Sequence, residues 1–222
     1  MSKITEALKC NFAKTVYYNF KLFPFKTALK FPLLISWGIK IKGLKRGVFK
    51  INGRIIPLMI KLGYGGSKDL NAVNPKRSYL CIDKGTITFD GKAVFAPHFN
   101  IIVKDAELQI GDGFCCNNSC TISCLKGIYF GRDCLLGGEI IIRDSDGHSI
   151  SYSNKRQNLD DKIVIGDHVW ICSKCSILKG FRIGNDSVVA YGSLCTKAIH
   201  MEHVLIGGYP AKLIKNINGW EK

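Results

Sequence analysis

His148 stands in the run Asp144-Ser145-Asp146-Gly147-His148-Ser149-Ile150, the stretch of this chain best suited to chemistry. An imidazole changes protonation near neutrality, so it can take a proton from a hydroxyl and hand it on. A neighbouring carboxylate would fix its tautomer and raise its basicity, which gives Asp144 and Asp146 a part. On the residues alone, a surface histidine in a polar turn accounts for the same run equally well. Cys172-Ser-Lys-Cys175 matches a pattern used for metal or redox chemistry, but no second pair lies at zinc-site spacing. His98, His200 and His203 have no supporting constellation, and His168 faces away from the core by register. Three histidines at the coordinated spacing of a zinc centre are not found, so no metal site is expected.

Such groups act only on a rigid support, and the sequence supplies one. Ile165, Ile171, Ile177, Ile183, Val189 and Cys195 recur at six-residue intervals. That period is wrong for an amphipathic helix and marks hexapeptide units wound into a parallel β-helix. An earlier array, Ile110, Cys116, Ile122 and Ile128, resumes at Phe130, Leu136 and Ile142. The motifs Ile110-Gly-Asp, Phe130-Gly-Arg, Ile165-Gly-Asp and Ile183-Gly-Asn repeat with it. From Ser78 to Asn100 the period is faint, which predicts irregular first coils. Between the arrays, residues 143–162 are polar and break the repeat. Insertions in a solenoid emerge as loops on one face, often the binding face, and this one carries His148.

Of the ten cysteines, Cys116 and Cys195 are repeat anchors, and Cys120, Cys134, Cys172 and Cys175 fill small positions of the coil. They read as buried free thiols rather than a disulfide framework, and so point to a reducing compartment. The chain has no secretory signal at its start and no apolar run long enough to span a bilayer, so a cytoplasmic protein is expected.

Charge is lopsided. Residues 1–68 hold 14 Lys and Arg against Glu6 alone, a net +13, while the remainder carries 18 against 16. The basic stretch is interleaved with Phe12, Tyr17, Tyr18, Phe20, Phe23, Phe25, Phe31 and Trp37. It is either a solvated basic face on a packed cap or a surface for peripheral association with an anionic membrane at its inner face. No nucleic-acid module accompanies it, so nucleic acid is not expected as a partner.

The expected organisation is therefore mainly β in three sections. Residues 1–76 form a basic α/β appendage, with a helix over Lys3 to Phe20, another from Lys26, and strands near Val48–Ile51 and Ile55–Leu62. Residues 77–205 form the β-helix with its loop at 143–162. Residues 206–222 close the last coil, with a helix over Lys212 to Trp220.

The anchors, the Asp-Gly-His loop, Val169-Trp170-Ile171, Val189-Ala-Tyr-Gly-Ser-Leu-Cys-Thr196-Lys197 and Gly208-Tyr-Pro-Ala-Lys212 together resemble the hexapeptide-repeat acyltransferases over residues 78–217. Within them the chain is most similar to the sugar O-acetyltransferases, such as the maltose, galactoside, nodulation and capsule-cluster enzymes. The resemblance implies a left-handed parallel β-helix, a homotrimer, acetyl-CoA as acyl donor bound between subunits, and a sugar or polysaccharide acceptor. It places His148 at the catalytic histidine. Asn117 or Asn118 falls at an acceptor-site asparagine and Trp170 at an aromatic beside the substrates. Ser173, Tyr191, Thr196 and Lys197 match positions along the pantetheine arm, and Lys212 and Lys215 match basic residues near the nucleotide phosphates. Corner, packing and solvated-surface roles are the competing readings for these residues. Two departures concern the acceptor and the phosphates. No N-terminal sugar-binding cap of the maltose type is recognisable, and lysines stand where many relatives have arginines. N-acetylation of an amino sugar, or a non-catalytic solenoid binding an anionic partner, are the alternatives.

Overall fold

The structure is a computed structural model that describes residues 9–66, 77–149, 151–152, 155–156 and 160–221. Short parallel strands stack into three sheets that form the sides of a prism. The first sheet has nine strands, running from Leu33–Ile35 through Leu135–Leu136, Trp170–Ile171 and Val188–Val189 to Val204–Gly208 and Ala211–Asn216. The second has seven, from Ile39–Lys42 to Leu194–Cys195, and the third six, from Phe49–Ile51 to Arg182–Ile183. The chain visits the sheets in turn, one strand per side, so each full turn adds a coil.

The six-residue anchors are what hold it. Ile165, Ile171, Ile177, Ile183, Val189 and Cys195 are all buried, as are the earlier anchors from Ile110 to Ile142. Each large aliphatic or aromatic side chain so buried contributes about 1.5–3 kcal/mol of transfer free energy. Toward the N-terminal end the interior becomes aromatic. Phe95 meets Phe99 at 6.0 Å and Phe114 at 5.3 Å, and Phe114 meets Phe130 at 5.0 Å between ring centroids. Cys116, Cys120, Cys124, Cys134, Cys175 and Cys195 are buried in the coil as thiols, not disulfides. The repeated Ile-Gly motif has a steric cause, because a Cβ at Gly111 would sit 2.1 Å from the carbonyl oxygen of Gly131 on the next coil.

Four expectations are corrected. The coils begin at Leu33, not after residue 76: Leu33–Ile35, Ile39–Lys42, Phe49–Ile51 and Ile60–Leu62 pair in parallel with the following coil. Residues 78–104 are regular too, Tyr79–Asp83 pairing in register with Asn100–Lys104. Corner segments of varying length hide the period there without disturbing backbone register. The first helix, α1, is Phe12–Leu22, followed by the short α2, Phe25–Ala28; the part expected from Lys3 to Leu8 lies outside the described residues. Finally, the closing segment is a strand and not a helix. Ala211–Asn216 pairs antiparallel with Val204–Gly208 after the turn at Tyr209-Pro210, a cis peptide. All but Ala211 of that strand is exposed, so backbone pairing, which satisfies the open sheet edge, is what holds it in place.

At the other end, α1 finishes the first sheet with its side chains. Thr15 and Asn19, one turn apart on the inward face, stand in for a missing strand. The amide of Leu33 donates to Asn19 Oδ1 and that of Ile35 to Thr15 Oγ1, both at 3.1 Å, while Asn19 Nδ2 donates to the Leu33 carbonyl at 2.8 Å.

Candidate active site

The loop that carries His148 leaves the end of the second-sheet strand Ile141–Arg143 and returns to the third-sheet strand Ile163–Ile165. It therefore projects from the edge between those two sheets. Its neck is locked. Asp144 is fully buried, and its carboxylate accepts the backbone N–H groups of Leu125, Lys126 and Gly127 at 2.8, 2.8 and 2.7 Å. The Asp144 carbonyl accepts the N–H of Asp161 at 3.1 Å, and Ser145 and Asp160 form an antiparallel bridge. Burial first, and the Asp144 charge second, push the Cys124 thiol well above its ordinary value.

Beyond the neck, Gly147 adopts φ +79°, a left-handed turn that glycine takes without strain. It sets His148 out in solvent. Gly147 N–H also donates to Ser145 Oγ at 3.0 Å. The Asp146 carboxylate meets Lys179 Nζ at 2.5 Å. Both carboxylates that the sequence offers to His148 thus have other partners, three backbone N–H groups for Asp144 and Lys179 for Asp146. Asp144 is turned inward to a coil corner by its place at the strand's end, and Asp146 is taken up by a lysine from the coil below.

Beside the neck lies an open groove of about 700 Å³, lined by Lys126, Asp160, Asp161, Lys162, Lys179, Gly180, Thr196, Lys197 and Ala198. Four lysines against two aspartates make it positive. Thr196 and Lys197 were expected to contact ligand. Lys126, Lys162 and Lys179 were not, and their only sequence signal is a basic residue at the same corner of successive coils.

The other candidates lie elsewhere on the prism. Asn118 is buried at the edge between the first and second sheets, and Asn117 is half-buried beside it, its N–H donating to the Leu136 carbonyl. The positive φ of that corner belongs to Ser119. Ser173 is at the same edge, where its Oγ accepts the N–H of Gly138 at 3.0 Å, and Tyr191 is exposed there next to Lys174. Trp170 opens a first-sheet strand, and that sheet lies opposite the edge bearing the loop. Lys212 and Lys215 are exposed on the closing strand at the same sheet's margin. The His148 loop thus shares the edge between the second and third sheets with Thr196 and Lys197, and Asn117, Asn118, Trp170, Ser173, Tyr191, Lys212 and Lys215 lie away from that edge.

Trp170 and His168 have packing partners. The His168 ring stacks on Trp220 at 4.5 Å and 10°, and its Nδ1 lies 2.8 Å from Asp186 Oδ1. Trp220 Nε1 donates to the His168 carbonyl at 2.7 Å, with the Trp170 ring 5.7 Å away. This cluster fastens the C-terminal tail to the last coils. Burial raises the thiols of Cys172, to about 11, and of Cys175, as expected for structural cysteines. Among the described residues no cluster of three metal-ligating side chains occurs. No helix among them is long and apolar enough to cross a membrane.

No protein-family model matches the sequence. The chain is 36% identical over 124 residues to the polysialic acid O-acetyltransferase of Escherichia coli O1:K1, covering 54% of this chain and 38% of that protein. It is 29% identical over 119 residues to the galactoside O-acetyltransferase of Escherichia coli K12, covering 53% of this chain and 58% of that one. The chain spans about half the length of the curated relatives it matches. The crystal structure of the polysialic acid O-acetyltransferase OatWY superposes with a TM-score of 0.59 at 25% identity, covering 86% of this chain and 87% of that one. Repeat, three-sided ladder and sequence likeness agree: the chain is related to the hexapeptide-repeat sugar O-acetyltransferases and shares their left-handed parallel β-helix.

Proposed function

We propose that the protein is an acetyl-CoA-dependent O-acetyltransferase that modifies a sugar hydroxyl in bacterial surface polysaccharide synthesis. One observation carries this reading: His148 is exposed on a loop whose neck is fixed beside a lysine-lined groove, in a chain related to O-acetyltransferases. His148 takes the proton of the acceptor hydroxyl as that oxygen attacks the thioester carbonyl. The carbon–sulfur bond then breaks, and the proton passes from the imidazole to the departing thiolate of coenzyme A. The groove's lysines suit the donor's phosphates as point charges.

A homotrimer belongs to the same reading. Ser173 and Tyr191 occupy a different edge from His148, so a neighbouring copy is needed to set them across one cleft. The first sheet supports such packing, with half-buried Val94, Cys115, Leu135 and Trp170 side by side in register. The protein would work in the cytoplasm, its basic N-terminal part toward an anionic membrane surface.

The test is mass spectrometry of candidate glycans incubated with the protein and labelled acetyl-CoA, using paired hydroxyl and amine acceptors. His148→Ala should abolish transfer while sparing coenzyme binding and assembly. Unchanged turnover removes His148 from the mechanism, and exclusive labelling of the amine would replace O- by N-acetylation.

A further inference from the structure

The N-terminal cap combines two surface features that a solvated basic face does not need together. Phe12 is 75% exposed, Phe25 66%, Trp37 65% and Leu29 55%. The inward side of α1 is complete without them, since Asn11, Thr15, Asn19 and Leu22 fill it. The exposed apolar groups gather at the two ends of the helix. At one end stand Phe12 and Trp37, on segments joined by the bonds from the Trp37 N–H to the Lys9 carbonyl and from the Asn11 N–H to that of Ile35. At the other stand Phe25, Leu29 and Leu58, the last held by its N–H bond to the Phe31 carbonyl. Lys21, Lys26 and Lys30 on and after the two helices, and Lys40 and Lys42 on the strand that follows Trp37, are exposed as well. No carboxylate occurs from residue 7 to residue 68. Among the described residues, the ion pairs involve other basic side chains: Arg132, His168, Lys179, Arg182 and His203.

We propose that this cap is a docking surface for an anionic phospholipid bilayer, with Phe12, Trp37, Phe25 and Leu29 seated at headgroup depth and these lysines against lipid phosphates. Aromatic side chains favour the boundary between water and hydrocarbon, and basic groups beside them gain from an anionic leaflet. A soluble polyanion would satisfy the lysines but leave these apolar groups in water. The membrane supplies both partners, which is why it is preferred here. This deepens the membrane-side placement proposed above and is read without any acceptor or acetyl transfer, so it can fail independently of the enzymatic reading.

The test uses the full chain and sedimentation with vesicles of phosphatidylcholine alone or mixed with phosphatidylglycerol. Binding should require phosphatidylglycerol and should shift tryptophan emission to the blue, with quenching by brominated lipid that Trp37→Phe removes. Phe12→Ser with Phe25→Ser keeps the charge unchanged and should weaken binding about tenfold. Because these side chains are exposed, the variants should fold, and circular dichroism checks that they do. Absence of binding overturns the proposal. So does binding that salt abolishes and the Phe→Ser pair leaves untouched, since that would mark the cap as a plain polyanion site.

Discussion

Lys179 reaches up from the coil after the His148 loop and meets Asp146 at 2.5 Å, tying the loop to the scaffold two residues before the imidazole. The contact crosses 33 positions of sequence, and Lys179 also lines the groove beside the neck. It joins the proposed proton acceptor to the proposed donor site.

Asp146→Asn cuts that tie and leaves the groove's lysine in place. Both partners are partly exposed, so unfolding free energy should change by less than about 1 kcal/mol. Positioning should suffer more: kcat for acetyl transfer falls about tenfold with KM little changed. Steady-state kinetics beside a urea melt separate the two effects. An unchanged kcat would show that the loop holds its shape without the pair.

Asp144→Ala strands three backbone N–H groups at the loop's neck, and the cost should be about 3 kcal/mol or more. Asp144→Asn restores one acceptor atom but turns an amide donor toward the same N–H groups, so it recovers only part of the loss. Urea unfolding of the two variants measures this ordering. Equal stability of wild type and Asp144→Ala would remove the clamp from the account.

Stability should decline in alkali. Burial raises the thiol of Cys195 to about 12 and that of Cys172 to about 11, each from an ordinary 9.0. Above the unfolded value the unfolded chain holds fewer protons than the native one, so the slope of stability with pH is negative. The contribution is whole below about pH 9 and is lost as pH rises toward the folded values. Urea midpoints over that range should fall, and Cys195→Ala should flatten the curve.

Asn19→Ala removes the side chain that both donates to and accepts from Leu33 in the first strand. With both partners buried, about 2–3 kcal/mol of stability should go. Thr15→Val should cost less, since Thr15 supplies one good acceptor and a longer contact of 3.4 Å. A denaturation series on both variants tests this ranking.

What the sequence disclosed follows from how each feature is encoded. An inward residue at every sixth place is a local, periodic signal, and Ile165 through Cys195 carried it into the correct sheets. Phe49–Ile51 and Ile60–Leu62 belong to the same ladder, but unequal corners erase the period around them. Thr15 and Asn19 bond a strand edge through side chains, an arrangement with no repeat to read. Asp144 looked like a partner for His148 by nearness in sequence. One place along a strand end, however, decides whether a carboxylate points inward or out. Lys179 finds Asp146 only through the stacking of coils. The strand Ala211–Asn216 falls where the sequence predicts a helix over Lys212 to Trp220, because so short a run does not distinguish the two and only the waiting edge decides.

The bonds from Thr15 and Asn19 to the outermost strand also bear on self-templating. A bare solenoid end is a ready seed for end-to-end growth, since each rung could recruit another chain's backbone. Here two polar side chains occupy those backbone positions of the first sheet in advance, so its outermost strand, Leu33–Ile35, has no bare edge to offer another chain.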